Sequence, residues 1–230
     1  MEIVVESLRN GAEKAAGRVA VIDVFRAFTT TAVALANGAS RVVMVGTTDE
    51  ALALRAKGVA QVCIGEVRGR APPGFDFGNS PHEISAVRFE GQTLVQRTSA
   101  GTQGIVAARR AVRLYASSLV TVSATARALA MEGPGRVTLV AMGSDGAVRT
   151  DEDELCALHL RNLLEGRAGD PEAVRRVILA GGEAGRFGDP ARPHLHTGDL
   201  DIALDIDRYD FAVRVDLEDA GPTAKLERPI

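Results

Sequence analysis

The sequence predicts an α/β fold, three-layer α/β/α, with a mixed, largely parallel sheet between two layers of helices. Short apolar runs rich in β-branched residues alternate with segments of helical spacing, as in proteins built from β-α-β units. One run, Val19 to Val24, is almost continuously apolar and is typical of a central strand covered on both faces. The 230 residues, 46% of them hydrophobic, can form a substantial core. We expect one domain over residues 1–230, built either as one unit or as two closely packed lobes.

The first half of the chain divides into strands and helices at recognisable stop signals. Strand composition is found at residues 19–24, 41–45, 61–64 and 93–96. Helical spacing covers residues 27–37, 49–57 and 81–87. The first two helices are followed by Gly38 and Gly58, which are typical helix ends. The third is expected to begin at Ser80 and Pro81, since serine suits the N-cap and proline the first helical position.

The second half continues the alternation. Helical spacing covers residues 105–111, 119–131, 151–164, 171–179 and 199–204, and strand composition covers residues 137–142 and 211–215. Four consecutive acidic residues, Asp151 to Glu154, follow Thr150 at the start of one helix. Two interpretations of this run stay open. Thr150 and Asp153 could form a capping box with the acids favouring the helix dipole, or the acids could contribute to a metal site.

A long loop, Gly65 to Pro81, is the first candidate for an active site. Its sequence, GEVRGRAPPGFDFGNSP, is rich in glycine and proline and follows a short apolar strand. It carries two carboxylates, Glu66 and Asp76, and two arginines, Arg68 and Arg70. Loops of this length inside a compact domain are uncommon and are often functional.

A second loop of small residues, Arg97 to Gly104, precedes a predicted helix. Glycine allows a ligand to approach the backbone closely, and the N–H groups at a helix start favour anions such as phosphate or sulfonate. Thr98, Ser99 and Thr102 add hydroxyl donors. Neither a Walker motif nor a dinucleotide-binding glycine motif is present, so we expect a small anion.

Composition limits the partners. The net charge of −3 argues against a general nucleic-acid-binding protein. The first ten residues do not have the pattern of a signal peptide, and no stretch reaches about 18 uninterrupted apolar residues, so we expect a cytoplasmic protein that binds no membrane. Cys63 and Cys156 are expected to be reduced core thiols. The sequence is compatible with either a monomer or a homodimer.

Carboxylates follow several of the predicted strands. Asp23, Glu66 and Asp145 all stand at predicted strand ends, and Arg26 follows Asp23 closely. Open α/β sheets bind ligands at the carboxyl ends of their strands. Carboxylate oxygens suit a hard divalent cation, and guanidinium groups suit a phosphate. We therefore expect a site for a divalent cation and a phosphate, although for each single residue a solvated charge is an equally good explanation.

Three segments together resemble the 2-phosphosulfolactate phosphatase family. They are Ile22 to Thr31 (IDVFRAFTTT), Gly65 to Gly69 (GEVRG) and Gly74 to Pro81 (GFDFGNSP), and the last is the most specific. Ala36 to Ala39 and Asp153 to Ala157 extend the resemblance over most of the chain. It implies a magnesium-dependent phosphatase that hydrolyses (R)-2-phospho-3-sulfolactate to (R)-3-sulfolactate and phosphate, a step in coenzyme M biosynthesis.

The resemblance and the residues together assign roles. Asp23, Asp76 and Arg26 are expected to be catalytic, and Asp23, Glu66 and Asp145 to hold Mg²⁺ directly or through water, with Asp76 as the alternative ligand or the base that activates water. The expected substrate-binding residues are Arg68, Arg70, Asn79, Ser80, Thr98, Ser99, Gly101 and Thr102. We favour direct attack by water over a phosphoaspartate, because the DxDx[TV] string of haloacid-dehalogenase enzymes is missing at Asp23.

Two other functions stay open from the sequence. The chain could be a metal-dependent phosphohydrolase for another small acidic phosphoester, or a sensor that binds a small anion without turnover. Clustered carboxylates argue against the sensor, since an anion gains nothing from them unless a metal neutralises them. His194 and His196 form an HxH pair in an apparent loop, where metal ligation is the weaker interpretation.

Overall fold

Nine strands form one sheet within residues 1–131 and 133–229, the part of the chain that the computed structural model describes. The strands are β1 (Glu2–Ser7), β2 (Ala16–Ile22), β3 (Arg41–Met44), β4 (Val62–Gly65), β5 (Thr93–Arg97), β6 (Arg110–Ser117), β7 (Arg136–Ala141), β8 (Ala212–Glu218) and β9 (Gly221–Glu227). The helices are α1 (Leu8–Lys14), α2 (Ala27–Ala36), α3 (Thr48–Ala56), α4 (Pro81–Ser85), α5 (Gly101–Ala107), α6 (Val122–Ala130), α7 (Asp151–Leu164), α8 (Pro171–Ala180) and α9 (Thr197–Ala203).

The sheet consists of two parallel halves that run in opposite directions. The strand order is β1-β7-β2-β6-β8-β9-β3-β5-β4. Strands β1, β7, β2 and β6 are parallel to one another, and so are β3, β5 and β4. The hairpin β8–β9 lies between the halves and pairs antiparallel with β6 on one side and β3 on the other. Because three successive antiparallel pairings separate β6 from β3, the carboxyl ends of the two halves point in opposite directions.

Helices cover both faces of the sheet. Successive side chains of a strand point to opposite faces, and accordingly Val19 and Val21 pack in one buried cluster while Ala20 and Ile22 pack in another. Helices α2 and α5 pack on the first face, α6 and α7 on the second, and α3 covers β4 and β5. The predicted three-layer α/β/α fold is confirmed, and the division into one unit or two lobes stays a prediction.

Some elements differ from the sequence prediction. Strands β1 and β9 and helix α1 are not predicted, because β1 is a short edge strand bounded by charge and β9 mixes Pro222, Lys225 and Glu227 into its apolar pattern. The helix predicted over residues 105–111 begins instead at Gly101 and ends at Ala107, since the chain from Arg110 onward pairs as β6.

The predicted helix caps have different outcomes. The Ser80 Oγ accepts a hydrogen bond from the Glu83 backbone N–H at 3.1 Å, so the predicted N-cap of α4 is confirmed. Of the two interpretations of the acidic run, the capping box is not formed, because the Thr150 side chain makes no cap hydrogen bond and Asp153 bonds to other loops.

Both cysteines are free and buried, which confirms the prediction of two unpaired core thiols. Among the described residues, no helix combines the length and apolar character that crossing a bilayer would need.

Candidate active site

A cavity of about 310 Å³ lies where several loops meet. Its walls come from the loops after β2, β4, β5 and β7, from the start of α7 and from the chain after α8. The lining residues include Asp23, Phe25, Arg26, Glu66, Arg68, Gly69, Asn79, Ser99, Gly143, Asp145, Thr150, Glu152, Glu183, Arg186, Phe187, His194 and Leu195. This volume suits a small organic ligand.

The start of α5 brings the loops of the two sheet halves together. Gly101 packs so closely that an added Cβ would lie 2.8 Å from the Ala27 Cβ and 2.8 Å from an Asp23 carboxylate oxygen, so only glycine fits there. Just before it, the Ser99 backbone N–H donates to Glu66 at 2.5 Å. The sequence places the site at the carboxyl ends of strands, but the strands that contribute to it do not share one sheet edge. The halves run in opposite directions, and the loop from Ser99 to Gly101 bridges them.

Unpartnered polar atoms concentrate around this cavity. Eight buried side-chain atoms of the described residues have no hydrogen-bond partner. Five of them belong to residues that line this one cavity: Asn79 Oδ1, Thr150 Oγ1, Glu152 Oε2, Arg186 Nε and His194 Nδ1. Buried polar atoms are almost always partnered by protein or water, and exceptions often mark a site for a ligand, water or ion. The cavity is therefore suited to a polar ligand.

Asp23 lies at the floor of the cavity, 5% exposed. Its carboxylate accepts hydrogen bonds from the Ala27 backbone N–H, at 3.0 Å, and from the Gly101 backbone N–H. Burial raises the pKa of Asp23 to about 6, and the negative charge of Glu66 adds to this effect, while the two N–H donors oppose it. The carboxyl group thus changes its charge close to neutral pH.

The first turn of α7 contributes two buried carboxyl groups with different partners. Asp153 accepts hydrogen bonds from the Val24 N–H at 2.7 Å and the Gly143 N–H at 2.8 Å, which ties the loops after β2 and β7 together. Glu152 is 3% exposed and its Oε2 has no partner. Burial and the neighbouring Asp153 raise the pKa of Glu152 to about 10. A cation beside Glu152 would stabilise the ionised carboxylate and so lower its pKa.

Glu66 acts as a clamp between two loops. Its Oε2 accepts hydrogen bonds from the Gly69 N–H at 2.6 Å and the Ser99 hydroxyl at 3.1 Å, and its Oε1 accepts the Ser99 N–H. Three donors therefore satisfy both oxygens. Glu66 lines the cavity, but its main task in the structure is to fix the loop after β4 on the loop after β5.

Arg26 is held by a buried carboxylate that lies far away in the sequence. Its Nη1 donates to Asp199 Oδ2 at 2.7 Å and to the His194 carbonyl at 2.7 Å. Asp199 is fully buried and also accepts the Ser80 hydroxyl at 2.5 Å and the His82 N–H at 3.0 Å. Asp199 thus sets the position of Arg26 and joins α9 to α4.

Carboxylates at this cavity do not form a complete metal site by themselves. Among residues 1–131 and 133–229, no three His, Cys, Asp or Glu side chains converge closely enough to hold an ion. Any cation bound here would need water or the ligand to complete its coordination.

Sequence comparison identifies the family. The sequence model of the 2-phosphosulpholactate phosphatase family matches residues 4–180. The chain belongs to this family. A relative from Bacillus subtilis is 29% identical over 214 residues, which is 91% of each chain, and one from Thermotoga petrophila is 37% identical over 150 residues, 65% of this chain and 64% of the relative. Both are named "Probable 2-phosphosulfolactate phosphatase". The matched stretch spans slightly less than two thirds of the Thermotoga protein.

Family membership confirms the resemblance seen in the sequence, and with it the expected enzyme class, since the family name denotes phosphoric monoester hydrolases. The structure brings together most of the site residues expected from the sequence. The cavity is lined by Asp23, Arg26, Glu66, Arg68, Asn79, Ser99 and Asp145. Ser80 lines a neighbouring cavity of about 460 Å³ that shares Arg26, Asn79 and His194 with the first.

Asp76 lies away from both of these cavities, although it stands in the most specific family string. Its Oδ2 accepts the Cys63 N–H at 2.7 Å and pairs with Arg55 at 3.0 Å. These bonds hold the string against β4 and α3. The structure thus shows a role for Asp76 in loop structure, and its expected catalytic or metal-binding role stays a prediction.

Four residues expected to bind substrate also do not line these cavities. Thr98 and Thr102 bond to each other, with each hydroxyl accepting the other residue's backbone N–H, at 3.0 and 2.8 Å, so both hydroxyls serve the start of α5. Gly101 acts through its N–H on Asp23. Arg70 is exposed and lies outside the lining.

The site also contains residues that sequence reasoning did not select. They are Glu152, Glu183, Arg186, Phe187, His194 and Asp199. Glu152 stands in the acidic run for which a metal site was one interpretation, and His194 stands in the HxH pair. The segment from Glu183 onward follows residue 180, where the family match ends. It reaches the cavity only through tertiary packing, for which the sequence carries no local signal.

Proposed function

We propose that this chain hydrolyses (R)-2-phospho-3-sulfolactate to (R)-3-sulfolactate and phosphate. The observation that carries the proposal is the set of five unpartnered buried atoms around one cavity, which includes both acceptors and donors. A phosphorylated acid with a bound cation would use both kinds. The substrate itself is taken from the name of the relatives.

The cavity residues fit Mg²⁺ as the cofactor. Mg²⁺ takes oxygen ligands, usually one or two carboxylates, and keeps several waters. Asp23 and Glu152 would hold it, because both are buried in the cavity wall and Glu152 Oε2 has no protein partner. Asp145 lies at the exposed rim, where it would act through water, and Glu66 is less suited because three donors already occupy it. When bound, the ion supplies positive charge beside the phosphoryl oxygens.

The chain's own groups bind the phosphoryl group and prepare the water. Arg26 uses Nη1 for Asp199 and His194, which leaves its other nitrogens without a partner among the described residues and available for phosphoryl oxygens. Water attacks phosphorus and the bond between phosphorus and the C2 oxygen breaks. The Asp23 carboxylate accepts one proton of the attacking water and passes it to the C2 oxygen, which leaves as the hydroxyl group of (R)-3-sulfolactate. Hydrogen bonds from Ala27 and Gly101 hold Asp23 in place, which favours this role over direct attack by Asp23.

The proposal is tested by phosphate release from 2-phospho-3-sulfolactate, 2-phospholactate and phosphoglycolate, each with Mg²⁺ and with EDTA. We expect turnover that needs Mg²⁺ and prefers the sulfonated substrate. Turnover of the unsulfonated compounds alone would support phosphatase activity but contradict 2-phospho-3-sulfolactate as the substrate. Absence of turnover on all three would reject the phosphatase.

Replacing Glu152 with glutamine is expected to stabilise the metal-free protein by on the order of 2–3 kcal/mol at neutral pH. The folded chain raises the pKa of Glu152 from an ordinary 4.5 to about 10. Above pH 4.5, folding therefore forces this carboxyl group to take up a proton that it lacks in the unfolded chain, and the cost grows as the pH rises toward 10. Glutamine has a similar shape and does not titrate, so it avoids this cost.

Urea denaturation in EDTA, near pH 4.5 and near neutral pH, measures the effect of Glu152→Gln. The variant should gain stability over the wild type at neutral pH and almost none near pH 4.5. Added Mg²⁺ should stabilise the wild type more than the variant. A variant whose stability differs from that of the wild type by the same amount at both pH values, or that responds to Mg²⁺ like the wild type, would contradict the role given to Glu152.

A further inference from the structure

The chain after α8 forms one part of the cavity wall, through Glu183, Arg186, Phe187, His194 and Leu195. It makes a short helical turn at Ala184–Arg186 and returns at Leu195, whose carbonyl accepts the Gly188 N–H at 2.8 Å. Phe187 packs edge-to-face on Phe25 of the β2 loop, with ring centroids 5.1 Å apart. The wall is therefore anchored to the loop that carries Asp23 and Arg26, and it lies outside the residues that the family model matches.

This wall presents donors to the cavity. Arg186 uses its Nη1 for Glu183, and its Nε is buried with no partner. A guanidinium group does not lose its proton in proteins, so this Nε is a donor that lacks an acceptor. His194 Nδ1 is likewise buried without a partner. Two of the five unpartnered cavity atoms thus lie on one wall: Arg186 Nε is a donor, and His194 Nδ1 is a donor when the neutral ring carries its proton there.

The field around His194 is positive. The pKa of His194 is lowered by burial first and then by the charges of four arginines, Arg26, Arg70, Arg186 and Arg192. The imidazole is therefore neutral at neutral pH and can donate from only one nitrogen. An anion at this wall would meet the unpartnered Nε of Arg186 and one carboxylate, Glu183, which is already paired with Arg186 Nη1, whereas at Asp23 and Glu152 it would meet two carboxyl groups.

The chemistry of the proposed substrate distinguishes its three acidic groups. The phosphate is on C2 and the carboxylate is bonded directly to C2, whereas the sulfonate is on C3, one bond further away. With the phosphoryl group at Asp23 and Arg26, the sulfonate is the acid that reaches furthest from the reacting atoms. A sulfonate offers three acceptor oxygens and stays ionised, so it can accept hydrogen bonds from such donors without any proton transfer.

We infer that Arg186 and His194 form the subsite that binds the sulfonate of the substrate, and that Arg186 is the specificity-determining residue for sulfonated acids. This inference rests on the proposed function for the identity of the ligand. It adds to the sequence-based expectation, in which Arg26, Arg68 and Arg70 together bind the acidic groups of the substrate.

Calorimetric titration of 3-sulfolactate and of lactate in Mg²⁺ buffer tests the inference without requiring turnover. We expect the wild type to prefer sulfolactate, and Arg186→Gln to reduce this preference by about tenfold or more, since a charge-assisted hydrogen bond and a charge are lost. The matched control is Arg192→Gln. It removes the same charge from the same segment, but Arg192 does not line the cavity and pairs only loosely with Asp189 at 3.7 Å. Its preference should stay within about twofold of the wild type.

Three results would overturn the inference. The first is a wild type that binds the two ligands equally or binds neither. The second is an Arg186→Gln variant that binds both ligands more weakly by the same factor, which is the result that a folding defect would give. The third is an equal effect of Arg192→Gln, which would reduce the role of Arg186 to general charge. A chain that binds sulfolactate through Arg186 but releases no phosphate would support the subsite and reject the phosphatase, so the two failures can be told apart.

Discussion

An Asp23→Asn variant is expected to lose about 10³-fold in kcat/KM for 2-phospho-3-sulfolactate, with little loss of fold. Asparagine keeps the shape of the side chain, and its single carbonyl oxygen can still accept the Ala27 N–H that the carboxylate accepts at 3.0 Å, so the cost to the fold is limited to the hydrogen bond from the Gly101 N–H. It cannot take a proton from water, and it brings no negative charge to a cation. Both tasks proposed for Asp23 are therefore removed together, while the packing around Gly101 stays the same.

Steady-state phosphate release at saturating Mg²⁺ measures this loss, and Asp76→Asn is the matched control. Asp76 undergoes the same chemical change, but its carboxylate bonds to Cys63 and Arg55 outside the cavity. Since the Arg55 pair is partly exposed, the control should retain kcat/KM within about threefold. Equal losses in the two variants would contradict the placement of Asp23 as the reacting carboxylate and would return Asp76 to the catalytic role that the family string implies.

The fold could be predicted where the signals are local. Val19 to Ile22 is apolar on both faces because both faces of β2 are covered, and Ser80 with Pro81 begins α4 as their chemistry requires. The sheet direction could not be predicted in this way. The hairpin β8–β9 enters the middle of the sheet and reverses one half, and nothing in the residues of β2 or β4 reports that pairing.

In the candidate site, too, residues with local sequence signals could be predicted and residues placed by long-range contacts could not. Asp23, Arg26 and Glu66 stand directly after strands and within family strings, so their position in the chain indicates the cavity. Residues whose contacts depend on tertiary packing carry no such local signal. Asp199 reaches Arg26 from 173 positions away along the chain, and Asp76 turns toward β4 although its string suggests a catalytic group.

Replacing Asp199 with asparagine is expected to lower the free energy of unfolding by about 3–5 kcal/mol, the cost of leaving one partner of a buried ion pair without the other. Arg26 is 4% exposed and Asp199 is fully buried, so water cannot replace the lost charge. Asp199 also accepts hydrogen bonds from the Ser80 hydroxyl and the His82 N–H. Together with Arg26, these donors use both carboxylate oxygens, whereas an asparagine amide has only one acceptor oxygen. The amide nitrogen would face one of these donors.

Urea denaturation of Asp199→Asn, with Asp201→Asn as the control, measures this effect. Asp201 lies on the same helix and is exposed, so its replacement should change stability by less than about 0.5 kcal/mol. An Arg26→Gln change added to Asp199→Asn should cost less than the sum of the two single changes, because the second change removes the charge that the first left unpaired. Additive losses, or a loss below about 1 kcal/mol for Asp199→Asn alone, would mean that Arg26 does not depend on Asp199. In that case the position of the phosphate-binding arginine would have to come from the β2 loop itself.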